Sequence, residues 1–338
     1  MEPLVDVNIA VYNQAKFLNQ TLDSVLAQIT TFPFRLLVGD DCSNDGSIDI
    51  IKEYQSRFPD KVIGIFQPKN LGLKSFVTNG KLLLKSSTAK YIALLDGDDY
   101  WIDPYKLQKQ VDFLEKNLEY SVVYHRVFYT NENNDLFEPE SLNKSIEAKT
   151  YTIEDLANGN IIHTPSVIFR NNLKSIIPEW YSRVTAGDYV LHMLNSSEGK
   201  IYYFPEIMAV YRRHVGGVWS YKSEIDMLTE WLNMLKYLIE HFKNNLNVHK
   251  NLENQYANIA MRLSMLFEKN NDSINAIDYF RQSIILSNQV TEDFLKKFIE
   301  LELKDNLSQN TISSKLINYY KHPERIIFLV KRLLKIKN

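Results

Sequence analysis

The sequence predicts an α/β fold over its first two thirds, with a mostly parallel sheet flanked by helices, followed by an all-α region. Short apolar runs alternate there with segments whose apolar residues recur at helical spacing, which is typical of parallel sheets covered on both faces. After about residue 222 glycine is absent, and amphipathic helical stripes follow one another. We therefore predict two domains, residues 1–222 and residues 223–338.

Composition excludes several classes of protein. The chain has 338 residues, of which 45% are hydrophobic, so it can bury a sizeable core. A net charge of −2 does not suggest a nucleic-acid-binding protein, whose domains are usually strongly basic. The single cysteine, Cys42, excludes an internal disulfide and a cysteine-based zinc site, which fits a reducing compartment. The N-terminus lacks a signal-peptide pattern, and no apolar run reaches the roughly 18 residues of a membrane span. We expect a cytoplasmic protein.

The elements are predicted in chain order from these patterns. Strands are expected over residues 5–11, 35–39, 62–66, 91–95, 122–129, 166–169, 201–204 and 207–211. Helices are expected over residues 17–26, 47–54, 104–114, 152–157 and 187–194. A further helix, after the turn at Asn70–Gly72, is expected to end at about residue 84. The polar stretch 131–145 is predicted to be a loop.

The segment from Lys90 to Pro104 joins a predicted buried strand to three carboxylates, Asp96, Asp98 and Asp99. Like charges this close repel each other, and a divalent cation with oxygen ligands is the usual reason for such a cluster. The carboxylates follow the C-terminal end of a strand, where open α/β sheets bind ligands. The alternative is a solvated acidic turn. Asp103 and Pro104 are predicted as the N-cap and first residue of the next helix.

Motifs at the predicted strand ends carry a family resemblance. They occur in this order: Ala10–Asn13 (AVYN), Val38–Ser47 (VGDDCSNDGS), Asn70–Gly72 (NLG), Leu95–Trp101 (LDGDDYW), Gly187–Asp188 and Tyr211–His214 (YRRH). With them, residues 4–220 resemble the inverting family 2 glycosyltransferases of bacterial cell-surface glycan type. The resemblance implies a GT-A fold, which is Rossmann-like, and transfer of a hexosyl group from a nucleotide sugar.

Two positions depart from the family pattern. Cys42 stands where many members have glycine. The helix after Gly72 lacks the common Ala-Arg-Asn, so Lys74 becomes the candidate basic contact to the donor.

The resemblance also implies how the donor binds. Ala10, Tyr12 and Asn13 would line the nucleotide base, with Tyr12 stacking on its ring. Asp41 resembles the carboxylate that accepts the uracil N3 proton, which favours a UDP-sugar; the alternative is a turn-capping aspartate, a role that suits Asp45 better. The acidic turn is similar to the family's metal and ribose site, with these implied contacts: Asp96 and Gly97 for the donor, Asp98 with Asp96 for Mn²⁺ or Mg²⁺, and Asp99 behind them.

On the acceptor side, Asp188 matches the family's general base, which inversion by a single displacement requires. Its alternative is a helix N-cap. His214 resembles the residue of a late loop that approaches the metal or the diphosphate. Trp219 is a candidate for lining the acceptor or closing a lid, and His163 with Thr164 for bordering the acceptor cleft; these could equally be packing residues. The implied acceptor is a glycan or a lipid-linked sugar.

Other enzyme classes fit the sequence less well. The first strand is followed by no G-x-G-x-x-G, and the chain has neither a P-loop nor a G-x-S-x-G. A sugar-phosphate nucleotidyltransferase shares a related sheet and metal carboxylates, but a glycine-rich basic loop is missing. An inactive scaffold that acts through its helical tail is the non-enzymatic alternative.

The helical region ends in a basic amphipathic segment, residues 323–338. It predicts either peripheral contact with the inner face of the cell membrane or packing against the preceding helices or a second subunit, as in a homodimer. Residues 254–286 have the size of one tetratricopeptide-like hairpin, although a plain helical appendage is the simpler interpretation.

Overall fold

A computed structural model describes residues 2–70, 75–130, 135–138, 146–172, 177–214 and 222–286, with backbone alone for residues 75–79. Lys74, Trp219 and the segment 323–338, all singled out above, lie outside these ranges. The chain divides into two compact units between Lys222 and Ser223.

Strands and helices alternate in the first half of the first unit, as predicted. Its first half contains β1 (Val5–Val11), α1 (Ala15–Leu26), β2 (Phe34–Asp40), α2 (Ser47–Arg57), β3 (Val62–Phe66), α3 (Ser75–Ser86) and β4 (Tyr91–Asp96). Its second half contains β5 (Tyr100–Trp101), α4 (Lys106–Lys116), β6 (Tyr120–Thr130), β7 (Leu136–Phe137), β8 (Lys149–Tyr151), α5 (Ile153–Leu156), β9 (Ile168–Arg170), α6 (Gly187–Ser196) and β10 (Lys200–Arg212).

The strands form one mixed sheet in the order β3-β2-β1-β4-β9-β6-β10-β5. The first four neighbours run parallel, and β6 is parallel to β10, whereas β9 is antiparallel to both of its neighbours. Alternate side chains of β1 point to opposite faces of the sheet. Val7 and Ile9 join the main core with Leu18 and Leu22 of α1, and Ala10 packs with other residues on the other face. The predicted fold class, an α/β sheet with flanking helices and a helical C-terminal region, is confirmed.

Two local predictions are wrong for identifiable reasons. The strands predicted over 201–204 and 207–211 are one strand, β10, whose pairing with β6 shifts register between Phe204 and Ile207. Pro205 lies at that shift, and because it has no N–H to donate, the ladder is interrupted without ending the strand.

Asp103 is not the N-cap of α4, because the helix begins at Lys106 after Tyr105. Asp103 closes the preceding turn instead: its Oδ1 accepts from the Tyr105 N–H at 2.8 Å. Its Oδ2 lies 2.6 Å from the ammonium of Lys109. By contrast, the short helix predicted near 152 is α5, and Thr152 forms a capping box with Asp155.

The second unit is helical where it is described, with α7 (Glu224–His241), α8 (Leu246–Lys269) and α9 (Ser273–Leu286). Ser223 and Asn245 cap the first two helices by accepting from the N–H groups of Asp226 and Val248. Residues of the predicted apolar stripes are buried, among them Tyr256 of α8 and Phe280 of α9. No helix in the described part of the chain is long and apolar enough to span a membrane.

Candidate active site

The acidic turn after β4 is held against β1 and α1. The N–H of Gly97 donates to the carbonyl of Ala10 at 2.9 Å. The hydroxyl of Thr21 lies within hydrogen-bond distance of the carbonyls of Gly97 and Asp99, at 2.9 and 2.7 Å. A side chain at position 97 would collide with Gln14 and approach the carbonyl of Ala10 closely. Glycine is therefore required for this close approach.

The carboxylates of the turn lie in different surroundings. Asp99 is buried, and its Oδ1 accepts from the backbone N–H of Arg212 at 2.8 Å. Burial, with Asp98 and Asp96 nearby, raises the pKa of Asp99 well above its ordinary value. Burial also raises the pKa of Asp96 strongly, followed by repulsion from Asp98 and Asp188, while a hydrogen bond from Thr164 opposes the rise. The turn is therefore not a solvated one.

Asp98 faces a histidine from another element. Its Oδ2 lies 2.9 Å from Nε2 of His214, and both side chains are mostly buried, at 14% and 19% exposure. The ring of His214 packs on Phe17 of α1, with 4.7 Å between centroids. The structure thus brings together two of the three predicted metal ligands, while Asp96 lies in the same turn.

Arg212 fixes the end of β10 to this turn. Its guanidinium donates to the carbonyl of Asp98 and to Oε1 of Gln20. It also lies over the rings of Phe17 and Tyr100, at 4.8 and 4.6 Å from the centroids. No role for Arg212 was predicted from the sequence, although Arg212 stands inside the YRRH motif that pointed to His214.

The donor set suits a divalent cation that is shared with a ligand. Within the described ranges no group of three or more His, Cys, Asp or Glu residues is arranged to hold a metal ion. Mg²⁺ in proteins is commonly held by one or two carboxylates together with substrate phosphates, and imidazole with carboxylate also suits Mn²⁺. Asp98 and His214, with Asp96 beside them, fit such a cation bound together with a diphosphate.

The predicted base-binding residues lie at the ends of β1 and β2. Tyr12 is 46% exposed, so part of this residue is accessible to a ligand. Asn13 has a left-handed backbone, with φ of 52°. Its N–H donates to Ser43 Oγ, and its Oδ1 accepts from the Asn44 N–H, each at 2.9 Å. The N–H of Asp41 donates to the carbonyl of Val11 at 3.0 Å, which ties β2 to β1 just beyond their paired residues.

The backbone conformation at Cys42 shows why many family members have glycine at this position. Cys42 adopts φ of 60°, a conformation that glycine reaches without steric cost. Asp45 caps the turn before α2: its Oδ1 accepts from the N–H and the hydroxyl of Ser47 at 3.0 and 2.6 Å. The role of Asp41 at the nucleotide base stays a prediction.

Asp188 lies at the start of α6 but is not its N-cap. The N-cap position belongs to Ala186, and Asp188 is the second helical residue. Asn160 Nδ2 lies 3.4 Å from its Oδ2. Burial raises the pKa of Asp188, and hydrogen bonds from backbone N–H groups and Asn160 oppose the rise.

A small, partly open cavity lies between the acidic turn and the start of α6. Asp96 and Asp188 both line it, together with Thr164. A molecule in this cavity would therefore lie beside Asp96 of the acidic turn and Asp188 of α6 at the same time. Thr164 was predicted, together with His163, to border the acceptor cleft, and contact of either residue with an acceptor stays a prediction.

His163 is held in an aromatic cluster. Its Nε2 lies 2.6 Å from the hydroxyl of Tyr129, and its ring centroid is 5.6 Å from that of Tyr211. Burial lowers the pKa of His163 to about 4, so the ring is neutral at physiological pH. The guanidinium of Arg213 lies over the ring of Tyr129, 4.3 Å from its centroid. These contacts support a packing role, and contact with an acceptor stays a prediction.

A family model described as "Glycosyl transferase family 2" matches residues 6–177 of the chain. An uncharacterized protein of Mycobacterium tuberculosis is 37% identical over 212 residues, covering 62% of this chain and 58% of that protein. The Escherichia coli UDP-Glc:alpha-D-GlcNAc-diphosphoundecaprenol beta-1,3-glucosyltransferase WfaP is 34% identical over 112 residues, covering 33% of this chain and 41% of that enzyme. The chain therefore spans less than two thirds of the length of either relative.

Among solved structures, residues 1–349 of S. aureus TarS in complex with UDP-GlcNAc superpose with a TM-score of 0.59. The match covers 95% of this chain and 90% of that chain, at 18% identity. This likeness shows the shared fold.

Proposed function

Because the chain belongs to the family 2 glycosyltransferases, we propose that it moves a hexosyl group from a UDP-sugar to a hydroxyl of a glycan or lipid-linked acceptor, with inversion and with a divalent cation. The observation that carries the proposal is the cavity lined by both Asp96 and Asp188. It sets a candidate donor contact and a candidate general base around one space.

The nucleotide would lie across the ends of β1 and β2. Tyr12 would stack on the base, and Asp41 would accept the N3 proton of uracil. Asp98 and His214 would hold Mn²⁺ or Mg²⁺ together with the diphosphate. The cation, when bound, would neutralise the charge that develops on the departing diphosphate.

Asp188 would act as the base of a single displacement. The acceptor oxygen bonds to the anomeric carbon while its proton passes to the Asp188 carboxylate. The bond from the anomeric carbon to the diphosphate oxygen breaks, and its electron pair leaves with the diphosphate. A raised pKa makes Asp188 a stronger base than an exposed aspartate. Attack from the face opposite the leaving group inverts the anomeric centre.

The acceptor class is proposed by likeness to the Escherichia coli relative, whose name specifies a diphosphoundecaprenol-linked sugar. A lipid-linked acceptor would place the cleft at the cytoplasmic face of a membrane. The basic segment 323–338 would then serve as a peripheral contact, and packing of this segment against the helices or a second subunit is the alternative.

A thermal-shift panel tests the proposal, because ligands that bind only the folded state raise its melting temperature. UDP and UDP-sugars should raise the melting temperature more with Mn²⁺ than with a chelator. Formation of a nucleotide sugar from a nucleoside triphosphate and a sugar phosphate would instead support the nucleotidyltransferase alternative. No shift with any nucleotide or nucleotide sugar would favour an inactive scaffold and contradict the proposal.

A further inference from the structure

The cavity beside Asp96 and Asp188 continues one step deeper into the sheet. Asn8 pairs with Leu94 in the β1–β4 register, two residues before the pair Ala10 and Asp96. Parallel strands rise about 3.3 Å per residue, so Asn8 lies about 7 Å below the carboxylate level on the same face of the sheet. Asn8 lines the cavity at that depth.

One end of the Asn8 side chain is left without a hydrogen bond. Asn8 is 3% exposed, and its Oδ1 lies 2.9 Å from the hydroxyl of Ser87. Its Nδ2 has no hydrogen-bond partner among the described residues. An unsatisfied buried amide group destabilises the protein, so a ligand that supplies a hydrogen-bond partner is favoured.

The opposite wall of the cavity contains a glycine inside a helix. Gly80 lies in the interior of α3 and lines the cavity, and a Cβ built on it meets no described atom within 4 Å. Glycine in a helix interior is less favourable than alanine. Close packing does not explain Gly80, and the space beside this position of the lining is open.

Most of the remaining lining of the cavity is apolar. It is formed largely by leucines, including Leu84, Leu94 and Leu191. An occupant of this depth must therefore offer an apolar group to the leucines and one hydrogen-bonding group to Asn8. A sugar hydroxyl meets the second requirement but not the first.

We infer that this deep part of the cavity, the Asn8–Gly80 subsite, receives the acetamido group of an N-acetylated hexosamine donor. The acetamido methyl group packs against the leucines, and the amide bonds to the unpaired end of Asn8. The inference rests on the proposed function and names its substrate class: a UDP-N-acetylhexosamine in preference to the corresponding UDP-hexose.

Calorimetric titration in Mn²⁺ tests the inference with matched donors: UDP-GlcNAc against UDP-Glc, and UDP-GalNAc against UDP-Gal. The wild type should bind at least one N-acetylated donor about tenfold or more tightly than its partner, because a buried polar group left unpaired discriminates strongly. UDP alone is the fifth ligand, and it reports the nucleotide site separately.

Two variants change the subsite in different ways. Gly80→Val fills the open space, and Asn8→Leu removes the amide while the Ser87 hydroxyl keeps a partner in the carbonyl of Leu83. Each should reduce the preference to less than threefold while UDP binds as before. Lys85→Val is the matched control, since it places the same residue on an exposed position of the same helix. Thermal melting of each variant verifies that it is folded.

The outcomes separate the inference from the proposed function. Equal binding of both members of both donor pairs by the wild type contradicts the inference while leaving the proposed function intact. A preference that survives in both subsite variants contradicts it as well. Absence of binding by UDP and by all four donors overturns the proposed function, and the inference with it.

Discussion

Nε2 of His214, just beyond the end of β10, lies 2.9 Å from Oδ2 of Asp98 in the turn after β4. The two residues are 116 positions apart in the chain. Arg212 adds a second tie, from its guanidinium to the carbonyl of Asp98. The YRRH motif and the acidic turn therefore form one structural feature, and a change in either should affect ligand binding by the other.

His214→Ala should weaken Mn²⁺-assisted binding of UDP by about tenfold or more, the loss expected when a metal ligand or its supporting group is removed. Titration calorimetry with UDP in Mn²⁺ measures the effect. His249→Ala, which removes a histidine from α8 in the second unit, is the control. Equal affinity in wild type and His214→Ala would show that the histidine serves packing alone.

Asp188→Asn should lower the transfer rate by a factor on the order of a hundred while donor affinity stays near that of the wild type. The substitution keeps the volume of the side chain and removes its ability to take a proton. Rates of UDP release with a suitable acceptor, measured beside donor titrations, check both parts. A parallel loss of donor affinity would assign Asp188 a structural role.

The pKa of Asp188 also predicts a pH dependence. Burial raises it above 3.8, so the folded state holds the proton more tightly than the unfolded state does. The contribution of this group to stability therefore falls as pH rises through the folded pKa, and at pH 7 the charged group destabilises the fold. Asp188→Asn should melt at a higher temperature than wild type at pH 7, and the gain should shrink on acidification.

Wild-type transfer should decline as pH falls through the same raised pKa, because the base becomes protonated. Asp60→Asn removes the same charge from an exposed position, so it is the control for stability. A lower melting temperature for Asp188→Asn at pH 7 would contradict this account of Asp188.

Cys42→Gly should stabilise the protein by about 1 kcal/mol. A non-glycine residue at φ of 60° carries strain of about 1–3 kcal/mol, and the extra freedom of glycine in the unfolded chain offsets part of the gain. Denaturant unfolding measures the difference. Cys42→Ser, which keeps a side chain at the same backbone conformation, should show no such gain. A destabilised Cys42→Gly would mean that the thiol makes a contact worth more than the strain.

Asp41→Asn should reduce discrimination between UDP and the purine diphosphates. The carboxylate can accept the uracil N3 proton, whereas the amide can offer a donor there as easily as an acceptor. Titrations of UDP, ADP and GDP into both proteins make the comparison, with exposed Asp49→Asn as the charge control. Tighter binding of ADP or GDP than of UDP by the wild type would overturn the assignment of Asp41.

The strands that build the site were predictable because each is a local pattern. β3 covers residues 62–66 as its apolar run predicts, and β4 ends at Asp96, where the carboxylates begin. The continuity of β10 through Pro205 was not predictable, since it depends on pairing with β6, a partner distant in sequence.

The candidate site shows the same division. Asp98, Asp188 and His214 stand in motifs, so their types and order point to chemistry. The contacts of Thr164 with Asp96 and of Arg212 with Gln20 arise from tertiary packing, which no local spacing encodes. Likewise, the space beside Gly80 exists because two elements that are separate in sequence, α3 and α6, line one cavity.

The most direct test of the central claim is a calorimetric titration of UDP into wild type and Asp98→Asn, each in Mn²⁺ and in excess chelator. The account predicts that the chelator weakens binding to the wild type by about tenfold or more, and that Asp98→Asn binds weakly in both conditions. Equal UDP affinity of the wild type with and without the metal, or an unchanged metal response in Asp98→Asn, would contradict it.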